Sequence, residues 1–226
     1  MLDAAVRLAG EGGPAAVTVA AVARAVGGPS GSVYHRFAGR PALAAALWNR
    51  TVARFQEGWL AALAADPAER AVPAAAGHVV AWSRAHEAEA RVLLYGAADF
   101  DEPGWAPEDR AELRRLNARI GPALRDLAAR LRAARLPAAH EATANEATAN
   151  EATANEATAN HATTDHATVD EVRGAADLVE LLTVATIDLP GAVVRRHLRR
   201  GQGIPAGAEV MVSRAAASLL VLETCL

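Results

Sequence analysis

The stretch GGPSGSVYHRFAGRPAL, Gly27 to Leu43, decides the fold. Gly27-Gly28-Pro29 stops whatever helix precedes it, and Ser30 suits the cap of the next. That next helix is short, about Gly31 to Phe37, and Ala38-Gly39 ends it. Arg40-Pro41 then opens a long helix through Leu63, because proline is tolerated in a first turn. Upstream, Thr18 is a good N-cap, with Val17 and Val22 placed for a hydrophobic staple. Val19, Val22, Ala23 and Val26 keep helical spacing. Residues 2–9 form an earlier short helix carrying Leu2, Val6 and Ala9 on one face. Two short helices about a tight glycine turn make a helix-turn-helix.

The second of these helices normally enters a DNA major groove. Val33 and Phe37 are four apart and anchor it inward. Ser30, Gly31, Ser32, Tyr34, His35 and Arg36 are left outward, where hydroxyls and a guanidinium suit phosphates and base edges. Charge points the same way. Residues 12–56 carry five arginines (Arg24, Arg36, Arg40, Arg50 and Arg54) and no acid, whereas the rest carries eighteen arginines against 26 acids. A basic patch on an acidic body is the footprint of a protein that touches a polyanion with one end. A solvated helix face that happens to lack acids explains the charge equally well, and Tyr34 could instead cap a core.

The chain of 226 residues is 52% hydrophobic but only 4% aromatic, and every basic residue is arginine. Alanine-rich sequence of this kind favours helix over sheet. A single cysteine, Cys225, rules out an internal disulfide or a cysteine metal cluster. The start, MLDAAVRLAGEGG, has no basic leader followed by an apolar run, and no stretch is apolar enough to span a bilayer. A cytoplasmic location without membrane association is expected. No G-x-S-x-G, phosphate-cradling glycine loop or zinc H-E-x-x-H is present. An enzyme is not expected, and no cofactor is implied.

The stretch TVAAVARAVGGPSGSVYHRFAGRPAL resembles the DNA-binding domain of TetR-family transcriptional regulators. The resemblance covers about the first fifty residues. It rests on the Thr18 start, the A-x-x-x-G approach to Gly27, the G-S-V-Y-H-R-F helix, and Arg40 followed by Leu43. It implies that Tyr34, Ser30 and Gly31 approach bases, and that Thr18, Ser32, His35, Arg36 and Arg40 hold phosphates. Gly28 departs from the small apolar residue usual in the family, which should loosen the turn. The chain also begins at the first helix, without the basic arm many members carry, which leaves contacts from such an arm, and the assignment of the start, open.

The expected fold is all-α. A three-helix helix-turn-helix DNA-binding domain at 1–45 precedes a helical-bundle ligand-binding and dimerisation domain at 46–226. Helical patterns cover about 41–65, 69–86, 88–98, 108–135, 169–200 and 207–225, and Pro73, Pro122 and Pro190 should sit in first turns or kink their helices. His78, Trp82, Tyr95, Phe100 and Trp105 cluster in the middle sequence and are candidates to line a pocket, with core packing as the alternative. By the resemblance, the last two helices pair with a second subunit. Met211, Ala215, Leu219 and Leu222 form their stripe, continued by Leu226, with Val179 on the preceding helix. Ala216 and Ser218 are small enough for close approach. Packing within one subunit is the alternative.

A pentapeptide repeat, EATAN from Glu141 to Asn160, continues as HATTDHATVD to Asp170. A period of five holds no one face of a helix, so a low-complexity linker is expected at about 137–168. His161, Asp165, His166 and Asp170 have metal-ligand character, but no rigid frame fixes them, and no metal is expected. RRHLRR at 195–200 is a second basic cluster, read as complementing a helix C-terminus. Together these features predict a homodimeric repressor that binds a pseudo-palindromic double-stranded operator and is released by a small-molecule effector. A helical small-molecule-binding or interaction protein that does not bind DNA is the alternative.

Overall fold

The computed structural model describes the backbone of residues 1–147, 174 and 176–223, and the side chains of 1–134, 174 and 176–221. The described residues are helical, without strands. Helices α1 (Leu2–Gly12), α2 (Val19–Ala25), α3 (Ser30–Arg36) and α4 (Arg40–Leu63) open the chain. They are followed by α5 (Ala68–Ala85), α6 (Glu87–Val92), α7 (Pro107–Asn117) and α8 (Ile120–Ala147). Helix α9 covers 176–199 and contains a π-helical turn, Val184–Asp188; α10 is Ala206–Glu223.

Two hydrophobic cores share the long α4. One takes Val6, Val22, Val33, Leu43, Leu47 and Trp48 from the first four helices and Val17 from the segment before α2, together with Val92, Phe100, Trp105 and Leu116. The other gathers Trp59 and Leu63 of α4 with residues of α5, α8, α9 and α10. Helix α5 is the centre of the body, packed against α4, α9 and α10. Its approach to α10 is close because Gly77 faces Ser213, where a Cβ would meet Oγ at 2.7 Å. The hydroxyl of Ser213 donates to the Pro73 carbonyl at 2.9 Å. Pro73 lies inside α5, Pro122 in the first turn of α8, and Pro190 directly after the π turn.

Several expected boundaries differ. The segment expected as one helix over 88–98 is helical only to Val92, then forms 3-10 turns Ala97–Phe100 and Glu102–Gly104. Gly96 and Asp101 explain the break: Asp99 folds back to accept from the Gly96 N–H at 2.7 Å, and Asp101 takes a left-handed conformation (φ 62°). The helix expected over 108–135 divides at Ala118–Arg119 into α7 and α8. Helix α8 also continues into the expected linker, so 137–147 are helical. A helix that is already nucleated propagates through alanine and glutamate without needing a buried face. The remainder of the repeat, including His161, Asp165, His166 and Asp170, lies outside the described residues, as do Cys225 and Leu226.

Candidate nucleic-acid interface and effector cavity

Helix α2 begins where Thr18 Oγ1 accepts from the Ala21 N–H at 3.1 Å. The staple residues Val17 and Val22 are both fully buried. The helix ends in a Schellman closure, with Gly27 at φ 67°. Gly28 N–H bonds the Ala23 carbonyl at 3.0 Å and Gly27 N–H bonds that of Arg24 at 3.1 Å. Gly28 thus closes the turn through its backbone. Helix α3 departs slightly from expectation: Pro29, not Ser30, occupies the N-cap, and Ser30 is the first helical residue with no capping bond. Proline's fixed φ already suits that half-extended position (φ −68°, ψ 147°).

Val33 and Phe37 are buried and pin α3 to the core. Ser30, Gly31, Ser32, Tyr34, His35 and Arg36 all lie exposed, as does Thr18, and Tyr34 projects with 58% of its surface free. Nothing lies within 4 Å of where a Gly31 Cβ would stand, so the backbone there is open to a close ligand. The fold therefore brings seven of the eight predicted DNA-contact residues to the surface around α2 and α3.

Arg40, the eighth, is held differently. Its Nε donates to the Val17 carbonyl at 3.1 Å and its Nη2 to the Pro14 carbonyl at 3.2 Å. It ties the start of α4 to the segment leading into α2. Two more of the five arginines have carboxylate partners: Arg50 pairs with the exposed Asp3 at 2.9 Å and Arg54 with the buried Glu89. Carboxylates distant in sequence thus fold onto Arg50 and Arg54. Arg24 and Arg36 remain exposed and form no ion pair among the described residues.

The body holds a cavity of about 510 Å³ between α4, α5, α6 and α9. Phe55, Val79, Leu93, Leu94, Ile187 and Val194 give it apolar walls, and Asp188 and Arg195 stand at it as charged groups. Ser83 also lines it, is 4% exposed, and has no hydrogen bond among the described residues. Gly191 widens it, since nothing occupies the space a Cβ would take. About one turn earlier, Ile187 and Asp188 belong to the π-helical turn, a feature frequent at functional sites. A second concavity of about 860 Å³ runs between α8 and α9, past Arg125, Arg132, Val179 and Thr183.

None of the five aromatic and histidine candidates lines the first cavity. Phe100 and Trp105 are buried in the core shared with the first helices, where Trp105 Nε1 donates to the Phe100 carbonyl at 2.9 Å. Tyr95 sits edge-on to Phe100, with ring centroids 6.2 Å apart. His78 and Trp82 pack against Phe55, which forms the cavity wall. Burial holds the His78 pKa below its ordinary value, opposed by its bond to the Phe55 carbonyl at 3.3 Å. The cavity residues were invisible beforehand, because apolar residues at helical spacing read as core.

On α10, Met211 is 49% exposed, beside the exposed Val210 and Val221. Ala215, Leu219 and Val179 are half-buried, and the Leu222 side chain lies outside the described residues. Ala216 is fully buried against the body core, so its small size serves packing within the subunit. Among the described residues no three metal-ligating side chains come together, and no helix is long and apolar enough to cross a membrane.

A pinned, exposed α3 on a capped α2 has the geometry of a helix-turn-helix reading head. Residues 1–47 match the model of a family described as bacterial regulatory proteins, tetR family. Among solved structures, the chain is similar to the fatty acid degradation regulator FadR from Bacillus halodurans (TM-score 0.57, 14% identity, covering 96% of this chain and 92% of that one). It is likewise similar to PfmR, a TetR family transcriptional regulator from Thermus thermophilus (TM-score 0.57, 15% identity, covering 97% and 92%). No curated protein matches the chain. Residues 1–47 thus match the N-terminal domain of the tetR-family regulatory proteins, and the chain as a whole shares the fold of these two solved regulators.

Proposed function

We propose that this regulator is a homodimeric repressor which leaves its operator when a small apolar molecule fills the α4–α5–α6–α9 cavity. Each α3 occupies one major-groove half-site of a pseudo-palindrome, and two-fold symmetry sets their spacing. Tyr34, Ser30 and Gly31 meet base edges; Thr18, Ser32, His35 and Arg36 hold phosphates. The exposed face of α10 around Met211, with Ala215 and Leu219, supplies the subunit contact. The reading assigns no catalysis, and places the protein in the cytoplasm with its DNA.

The observation that carries the effector is the wall shared by cavity and head. Helix α6 lines the cavity through Ala90, with Leu93 and Leu94 on the turn that follows it. Its start packs on α1 so closely that a Gly10 Cβ would lie 3.2 Å from the Ala88 backbone. On the other side, Arg54 of α4 pairs with Glu89 of α6, and His86 Nδ1 stands 3.4 Å from the same carboxylate. A ligand that moves α6 must therefore move α1 and α4. It shifts the equilibrium only by its preference for one conformer over the other. The unpartnered Ser83 hydroxyl and the charged rim select an apolar molecule with a polar end; that one structural neighbour is a fatty acid degradation regulator makes fatty acids the first compounds to try.

Gly191→Phe tests this. The added ring enters open cavity space and replaces the ligand's volume. Operator binding by Gly191→Phe should persist and should be insensitive to compounds that release the wild type. Release of both proteins at the same ligand concentration would remove the cavity from the account.

A further inference from the structure

The body has its own arginine cluster, RRHLRR, at the end of α9. The carbonyls of Leu198 and His197 at this helix end are hydrogen-bonded by groups other than these guanidinium side chains. Gly201, at φ 64°, bonds the Leu198 carbonyl through its N–H at 3.2 Å, and Gln202 N–H bonds that of His197 at 3.1 Å. The Leu198 carbonyl also accepts from Arg91 of α6 at 3.4 Å. Leu198 is buried as the anchor, and Arg195, Arg196, Arg199 and Arg200 are exposed around it.

None of these four forms an ion pair among the described residues. Elsewhere in the body, Arg84, Arg91, Arg115 and Arg130 each pair with a carboxylate. Other body arginines, among them Arg70, Arg119, Arg125 and Arg214, also form no ion pair among the described residues; what sets this group apart is that four exposed guanidinium groups lie within six residues.

Its position is specific. Arg199 shares a cleft with Arg91, Tyr95, Asp99 and Gly10 of α1, so one carboxylate faces it there. The Tyr95 hydroxyl lies 3.0 Å from where a Gly13 Cβ would stand. The next residue, Pro14, gives its carbonyl to Arg40, and Thr18 caps α2 four residues later. A continuous strip thus runs from the end of α9, across Tyr95, to the start of the reading head. We propose that Arg196, Arg199 and Arg200 are a second DNA contact, binding backbone phosphates of the operator beyond the bases read by α3. Guanidinium groups bind phosphate by paired, charge-assisted hydrogen bonds, and an exposed, unpaired cluster gives up no internal contact to do so. Arg195 is set apart because it lines the effector cavity.

The inference rests on the DNA-binding reading, and the triple variant Arg196→Gln, Arg199→Gln, Arg200→Gln of the full chain tests it. Affinity for an operator duplex is measured by anisotropy between about 50 and 300 mM salt, since log affinity falls with log salt by about 0.9 per phosphate contacted. With three contacts on each of two subunits, the variant's slope should be shallower by about 5 per dimer, with roughly tenfold or greater weakening at the lowest salt. Random-sequence DNA should weaken in the same proportion, because phosphate contacts carry no sequence. The triple Lys variant at the same positions should keep the slope, and the melting temperature should not change. A slope equal to wild type, or a loss confined to the operator, would overturn the proposal. Failure of the wild type itself to bind would instead overturn the regulator reading.

Discussion

The indole Nε1 of Trp59 donates to the backbone carbonyl of Thr186 at 3.2 Å, joining α4 to α9 deep in the body. That carbonyl is the one Pro190 leaves without a helical partner, because proline has no N–H to offer the residue four before it. Thr186 is fully buried, so water cannot take over. Trp59→Phe keeps the apolar bulk and removes the donor. It should cost about 1–3 kcal/mol in urea unfolding, the usual penalty of a buried polar group left unmatched. An unchanged midpoint would show that the π turn relaxes to satisfy the carbonyl itself.

Arg40 makes two bonds to carbonyls 23 and 26 residues before it. A lysine carries the same charge but cannot span both acceptors. Arg40→Lys should therefore lower the stability of the protein by about 1–3 kcal/mol and weaken operator binding. Its salt slope should match wild type. If Arg40→Ala lowers the slope by about 0.9 per subunit and Arg40→Lys restores it, Arg40 is a phosphate contact and the tie is secondary.

His78 predicts a pH dependence. Burial lowers its pKa in the folded state below the ordinary 6.5, so the folded protein binds fewer protons than the unfolded chain. The stability that His78 contributes as a neutral ring is complete above pH 6.5 and declines as pH falls through that value toward the folded pKa. Melting between about pH 7.5 and 5.5 should fall more for wild type than for His78→Gln, which keeps a donor for the Phe55 carbonyl. Equal falls would assign the acid sensitivity to groups other than His78.

His78 also lies across Gly58, where a Cβ would fall 2.3 Å from the ring carbon Cε1. Gly58→Ala must push the imidazole aside and break its bond to Phe55. Despite alanine's better helix propensity, the variant should lose about 1–3 kcal/mol by overpacking. A gain in stability on thermal melting would mean the ring swings away freely.

The head was legible in the sequence because its determinants are local. Thr18 caps a helix three residues away, Val17 and Val22 staple it, and Gly27 ends it. Such signals need no knowledge of the tertiary fold. Arg40 was not legible in the same way: a guanidinium beside DNA and one beside two carbonyls look identical in sequence. The cavity was hidden for a related reason. Val79, Leu93, Ile187 and Val194 carry core spacing, and a cavity is the absence of a neighbour, which no residue type announces. The aromatic candidates failed to mark it because Phe100 and Trp105 serve the junction between head and body. At the start of the repeat, the five-residue period did not prevent a helix, since α8 runs on to Ala147.

The most direct measurement is fluorescence anisotropy on duplex DNA from immediately upstream of the protein's own gene, at several salt concentrations, with Tyr34→Ala beside wild type. Tyr34 is exposed and contributes little to the fold, so the variant should remain folded. The account predicts tight, salt-sensitive binding by the wild type and a loss of operator preference in Tyr34→Ala, with binding to random DNA retained. Weak wild-type binding that equals its binding to random DNA and is unchanged by Tyr34→Ala would contradict it.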